Sequence, residues 1–143
     1  MAKARSKIQT VLRVKKHQEK VAHQQLMQIK DEHQREQERL SHLHHAKDEA
    51  VKGVVRFGRA KATDVQTQRA FIIKLSKQIT RQAHRVNEIQ EKENEKLVEL
   101  TKRAQSRQMV EKLDERQRKE IDRRVDKKEQ ETIDEVASRT KAT

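Results

Sequence analysis

Gly53-Val54-Val55-Arg56-Phe57-Gly58-Arg59-Ala60-Lys61-Ala62-Thr63-Asp64-Val65-Gln66 holds both glycines of a 143-residue chain that contains no proline. Gly58 can adopt the left-handed backbone that closes a helix, and Thr63 with Gln66 three residues on reads as a capping box opening the next one. Gly53 costs about 1 kcal/mol against Ala inside a helix and marks fraying ahead of the true end. The stretch predicts a hairpin tip near 58–63, between helix one at about 6–57 and helix two at about 64–138. The expected fold is all-α: a long two-helix antiparallel coiled coil, one domain over residues 1–143, with the second helix longer and a frayed C-terminus. At 1.5 Å per residue the helices span roughly 75 and 110 Å, so the second overhangs the first by about twenty residues. That overhang, poor in apolar residues and dense in alternating charge, is the natural candidate for docking into another molecule.

Before the tip, Ile8, Leu12, Ala22, Leu26, Ile29, Leu40, Leu43, Ala50 and Val54 fit alternating steps of four and three, the signature of a heptad seam. Lys15, Glu19, His33, Glu36 and Lys47 occupy seam positions too. A buried Leu or Ile contributes roughly 1.5–3 kcal/mol, so these replacements predict a leaky seam that frays at its ends. After the tip the stripe resumes with Phe71, Ile72, Leu75, Ile79, Ala83, Val86, Ile89, Leu97, Leu100, Ala104, Val110 and Leu113, then thins. Ile89, Glu93, Leu97 and Leu100 step by four, four and three, an interval of eleven that predicts a break in the heptad drift.

Composition narrows the function. A chain that is 41% charged and 31% hydrophobic, with two Phe and no Trp or Tyr, has too little apolar material to wall off a dry catalytic pocket. Such a composition also fits disorder, and the helical spacing of the apolar residues argues against it. Neither glycine begins a phosphate loop, and no nucleophile elbow or acid/base pair appears, so no enzymatic activity and no cofactor are expected. His42, His44 and His45 cluster, yet without a carboxylate at matching spacing they read as solvated helix-face residues, and no metal is expected. Without cysteine there are no disulfides, and without an apolar run near the start there is no sign of a secretory signal or membrane span, which points to a soluble, cytoplasmic protein.

The formal net charge is +12. Between Glu49 and Glu88 one acid, Asp64, stands against nine bases, including Lys74, Lys77, Arg81 and Arg85. That basic middle makes nucleic acid or anionic membrane the alternative partner class; interleaved aromatics for base stacking are missing, which sets nucleic acid behind. Beyond Glu88, acids and bases alternate at helical spacing: Glu88/Lys92, Glu99/Arg103, Asp114/Arg118, Glu115/Lys119 and Glu120/Arg124.

Three blocks of the chain carry a family resemblance. Ile8-Gln9-Thr10-Val11-Leu12-Arg13, followed by Glu19, is similar to the opening apolar-Gln-x-x-Leu pattern of the FliJ family of flagellar type III export components. Phe71-Ile72-Ile73-Lys74-Leu75, continuing to Ile79, resembles that family's block after the tip. Leu113-Asp114-Glu115-Arg116, Glu120, Lys128-Glu129-Gln130 and Ile133-Asp134-Glu135 look like its charged C-terminal stretch. The chain departs from the pattern in lacking an aromatic near its start and in its many histidines.

The resemblance implies a non-enzymatic stalk similar to that of rotary ATPases. Its joined ends would insert into the hexameric flagellar export ATPase and promote its assembly and activity. It would contact the cytoplasmic domain of the export-gate membrane protein and escort export chaperones, a cytoplasmic protein peripherally associated with the inner-membrane export apparatus. Carried onto this sequence, Ile8, Leu12, Leu113, Arg116, Ile121 and Arg124 lie at the ATPase-facing end, and Leu43, Phe71 and Leu75 form the gate-facing patch. The equivalent stalk of virulence type III secretion shares this design.

Overall fold

The computed structural model describes residues 2–56 and 62–142 of the chain. Two helices account for all of them, α1 over Ala2–Arg56 and α2 over Ala62–Ala142. The architecture is all-α, an α-hairpin coiled coil whose second helix is the longer. Most of the expected tip, Gly58 included, lies outside the described residues. Gly53 sits within α1 without a positive φ. Thr63 falls inside the first turn of α2, one residue past the start, where its carbonyl accepts a 2.9 Å hydrogen bond from the Thr67 hydroxyl.

Several local features let such polar helices run unbroken. Proline is absent, and hydroxyls that would compete with the backbone bond back into their own helix: Ser76 to the Ile72 carbonyl, Thr80 to Ser76 and Thr132 to Lys128, at 2.9–3.0 Å. Asp64 in the first turn of α2 and Arg139 and Lys141 in its last turn complement the helix dipole. Of the five expected acid-before-base pairs, three form: Asp114 with Arg118 at 3.7 Å, Glu115 with Lys119 at 3.6 Å and Glu120 with Arg124 at 2.7 Å. Glu88 instead meets His84 at 2.9 Å, and Glu99 meets Lys96 at 3.2 Å while Arg103 reaches across to Gln18 at 3.1 Å. Lys96 reaches Glu99 from a seam position, whereas His84 reaches Glu88 from the exposed face of α2.

The contacts divide the chain into a central unit, residues 22–100, and a terminal unit, residues 1–21 and 101–143. Within each, α1 and α2 are antiparallel. In the central unit Gln25 meets Lys96, His33 meets Glu93, Glu36 meets Gln82 and the Ala50 carbonyl meets Gln68. In the terminal unit Gln18 meets Arg103 and Glu19 meets Arg107.

Burial along α1 follows the expected seam: Ile8, Leu12, Lys15, Glu19, Ala22, Leu26, Ile29, His33, Glu36, Leu40, Leu43, Lys47, Ala50 and Val54 are all buried or half-buried. The seam is less leaky than its composition implies, because two of its polar members are matched across the interface. Glu19 takes Arg107 and Glu36 takes Gln82, whereas His33 Nδ1 lies 2.7 Å from Glu93 Oε2, an ion pair only when the imidazole is protonated, and its Nε2 is buried without a hydrogen-bond partner. A buried polar group with a partner avoids the desolvation penalty of an orphan.

On α2 the expected interruption is absent. Val65, Gln68, Ile72, Leu75, Ile79, Gln82, Val86, Ile89, Glu93, Lys96, Leu100, Arg103, Arg107, Val110, Asp114, Gln117 and Ile121 are all buried or half-buried, an unbroken alternation of three and four. Leu97 is 48% exposed, and its neighbour Lys96 takes the seam position. Leu113 and Phe71 likewise sit one residue off the seam, beside Asp114 and Ile72. Lys96 wins its place by donating to the Gln25 side-chain amide oxygen, at 3.2 Å, and to Glu99.

The two units differ in what holds them. Among the described residues every buried apolar side chain, namely Ala22, Leu26, Ala50, Leu75, Val86 and Ile89, belongs to the central unit. Among the described residues the one buried member of the terminal unit is Asp114. Its helices are joined by half-buried apolar residues such as Ile8, Leu12 and Ile121 and by polar contacts, which in partly exposed settings contribute far less than full apolar burial. From Asp122 to Ala142 every residue of α2 is exposed.

Candidate interaction surfaces

Lettering the seam a and d fixes two sides for each helix pair. Residues at g and c flank the seam on one side, and residues at e and b flank it on the other. Because the helices are antiparallel, the g/c side of α1 adjoins the g/c side of α2. The arginines around Glu36 illustrate it: Arg39 and Arg85, both at g, approach the same carboxylate oxygen at 3.0 and 3.6 Å.

In the terminal unit the g/c side carries exposed Val11 and Val14 from α1 and exposed Met109 and Leu113 from α2. Leu113 is 52% exposed and available for contact, Arg116 is exposed on the same stripe, and Arg124 is exposed at a d position one turn beyond Ile121. Arg124 also donates to Glu120 at 2.7 Å. Ile8, Leu12 and Ile121 lie on the seam and are half-buried. The six residues expected at the ATPase end thus split into three half-buried residues and three exposed residues. Val11, Val14 and Met109 are surface neighbours that sequence reading passed over; their g and c spacing beside the seam was the available signal.

The e/b side of this unit is different in character. Gln9, Leu12, Arg13, Lys16, Asp114 and Arg118 line an open cleft of about 320 Å³. Asp114 is buried at an a position with no hydrogen-bond partner on Oδ1, and its other oxygen lies 3.7 Å from Arg118. Deeper along the seam, Arg107 bonds to Glu19 and, at 2.8 Å, to Glu111, and these bonds raise the guanidinium pKa further above its ordinary value. Such an arrangement holds helices in register and offers contacts; it positions no nucleophile or proton-transfer pair.

In the central unit, Leu75 is 5% exposed and Leu43 is half-buried, so both belong to the core of the helix pair. Phe71, at 47%, is the member of the expected gate-facing patch that presents surface. His42, His44 and His45 are exposed, and among the described residues no three His, Asp or Glu side chains converge on a metal-sized site. No helix of the described residues is long and apolar enough to cross a membrane.

Glu36 is the most enclosed charge of this unit. The Gln82 amide donates to its carboxylate and, at 3.0 Å, to its main-chain carbonyl, and Arg39, Arg85 and Arg35 add favourable charge. The Gln82 hydrogen bond, ahead of the arginines, holds the carboxyl below its ordinary pKa of 4.5. A carboxyl depressed in the folded state contributes stability above its unfolded pKa and loses it as pH falls through the folded value. Glu36→Gln should therefore melt below wild type at neutral pH, and the gap should shrink once the pH drops below 4.5. Circular dichroism melts across that range check it; a pH-independent gap would refute the linkage.

Among known proteins, the family model described as flagellar FliJ protein matches residues 4–142. No curated protein and no solved structure matches the chain. The family match spans α1 and α2 almost end to end, both surfaces included, and the chain therefore belongs to the flagellar FliJ protein family, components of the flagellar export apparatus.

Proposed function

We propose that this protein is a non-enzymatic, central-stalk-like element of the flagellar export apparatus. Its terminal unit engages the hexameric export ATPase and promotes assembly and hydrolysis, and its central unit meets the export gate through Phe71. Export chaperones are escorted by the same protein, which works in the cytoplasm at the inner-membrane apparatus.

The observation that carries this reading, beside family membership, is the makeup of the terminal unit. It exposes Val11, Val14, Met109 and Leu113 on one side while burying no apolar residue among those described. Exposed apolar side chains grouped on one face mark interaction sites, and an end held by half-buried and polar contacts can adapt to a partner at small cost. The ATPase-facing set becomes Leu113, Arg116 and Arg124 as direct contacts, with Ile8, Leu12 and Ile121 keeping the helix ends together beneath them.

ATP hydrolysis by the flagellar export ATPase, measured with and without this protein at physiological salt, tests the proposal. Stimulation accompanied by hexamer formation is the expected result. An unchanged rate and an unchanged oligomeric state would remove the stalk reading.

A further inference from the structure

We propose that the g/c side of the central unit, marked by Arg35, Arg39, Arg81 and Arg85, is a docking surface for an anionic phospholipid bilayer. The sequence alone shows a basic middle; the helix pairing shows that its charge beside the seam around Glu36 is one-sided and that α1 contributes to it. Arg39 and Arg85 converge on one Glu36 oxygen, which puts them on the same side of the seam. Arg35 lies one turn from Arg39, and Arg81 one turn from Arg85, with Lys74 two turns further toward the start of α2. All five bases are exposed.

Glu36 lies beneath these side chains with only 5% of its side chain exposed, so it neutralises one charge and leaves the rest facing outward. Among the described residues Arg35, Arg81 and Lys74 ion-pair with no carboxylate; Arg35 donates only to the Asp31 main-chain carbonyl, at 3.4 Å. No other acid occupies this side until Glu32, Glu49 and Glu88 at its margins. The opposite, e/b side over the same length carries Gln37, Ser41 and His44 from α1 and Ser76, Thr80 and Ala83 from α2. Of the two sides that flank the seam over this length, only the g/c side carries Lys or Arg.

A planar anionic surface matches that distribution better than a nucleic acid strand, which is tracked by bases alternating with stacking aromatics. Phe71 continues the same stripe, one turn before Lys74, and is half exposed. An aromatic ring at the edge of a basic face is suited to the headgroup region of a bilayer.

The test is sedimentation of the full chain with vesicles of phosphatidylglycerol and phosphatidylcholine, against phosphatidylcholine alone. Binding is expected only to the anionic vesicles and should weaken steeply with salt. Each base near such a surface is worth about a fivefold change in affinity, so the triple variant Arg35→Gln/Lys74→Gln/Arg81→Gln should bind roughly a hundredfold more weakly. Among the described residues none of these three is in an ion pair, Arg35 acting on Glu36 through its charge alone, and matching melting curves would confirm an intact fold. The control triple Lys30→Gln/Arg69→Gln/Lys77→Gln removes the same charge from outside this side and should cost only a few-fold. Equal losses in both triples would overturn the proposal, as would no vesicle binding or displacement from vesicles by equimolar phosphate in duplex DNA. No ATPase is present in this assay, so its failure would leave the stalk reading standing.

Discussion

Ile89→Ala should destabilise the central unit by about 2–5 kcal/mol, the usual cost of emptying a buried aliphatic site. Leu97→Ala, eight residues later on the same helix, should cost less than about 1 kcal/mol. The contrast is large because the two side chains stand in different environments. Ile89 is 4% exposed at a d position, while Leu97 is 48% exposed beside it in the e row. If the seam ran through Leu97, truncating it would open a cavity and the two variants would melt alike. Urea or thermal unfolding followed by circular dichroism reads the difference directly. Comparable losses in both would mean that Lys96 does not hold the seam position and that the heptad breaks there. Lys96→Ala adds an independent check, since it removes the bond to Gln25 at 3.2 Å while leaving every apolar contact of Ile89 in place.

Why α1 was legible and α2 was not follows from the same residues. On α1 the leucines and isoleucines fall in three pairs of adjacent seam positions, Ile8/Leu12, Leu26/Ile29 and Leu40/Leu43, and simple extension of the step pattern carries the seam through Lys15, Glu19, His33, Glu36 and Lys47. On α2, Phe71, Leu97 and Leu113 are apolar residues lying one place off the seam, and each draws a hydrophobic reading toward itself. What decides between Leu97 and Lys96, or between Leu113 and Asp114, is the partner across the interface. That partner depends on the pairing register, which no single-helix pattern contains. Arg107 is the plainest case: its half-buried position makes sense only opposite Glu19. The same holds for the surfaces. The basic middle was visible in the sequence, but the arginines of α1 join it only when α1 and α2 are laid side by side. The gate-facing patch was read as three residues because Leu43 and Leu75 look like partners for Phe71, whereas both serve the helix pair.

Leu113→Asp should abolish stimulation of the export ATPase while leaving the helices intact. Leu113 is exposed and off the seam, so the substitution opens no cavity, and Arg116 three residues on is placed to meet the new carboxylate. An exposed helix-face change of this kind usually alters stability by no more than about 0.5 kcal/mol. At an interface the arithmetic differs. Replacing an apolar anchor with a charge that must be desolvated costs about 2 kcal/mol or more, a loss in affinity of roughly thirtyfold. Stimulation should fall to baseline at protein concentrations that saturate the wild type. Met109→Asp, on the same side and one turn away, should act in the same direction, and Val125→Asp, beyond the Val11–Leu113 patch, should do less. Phe71→Ala should leave ATPase stimulation unchanged and weaken capture of the export-gate cytoplasmic domain. Stimulation retained within twofold by Leu113→Asp would detach the ATPase from this side of the terminal unit. It would move the contact to the seam residues Ile8, Leu12 and Ile121, which a partner could reach only by parting the helices. An end whose sole described buried residue is an aspartate is held weakly enough for that second route to be checked, by asking whether the ATPase deprotects the amides of residues 3–21 in hydrogen exchange.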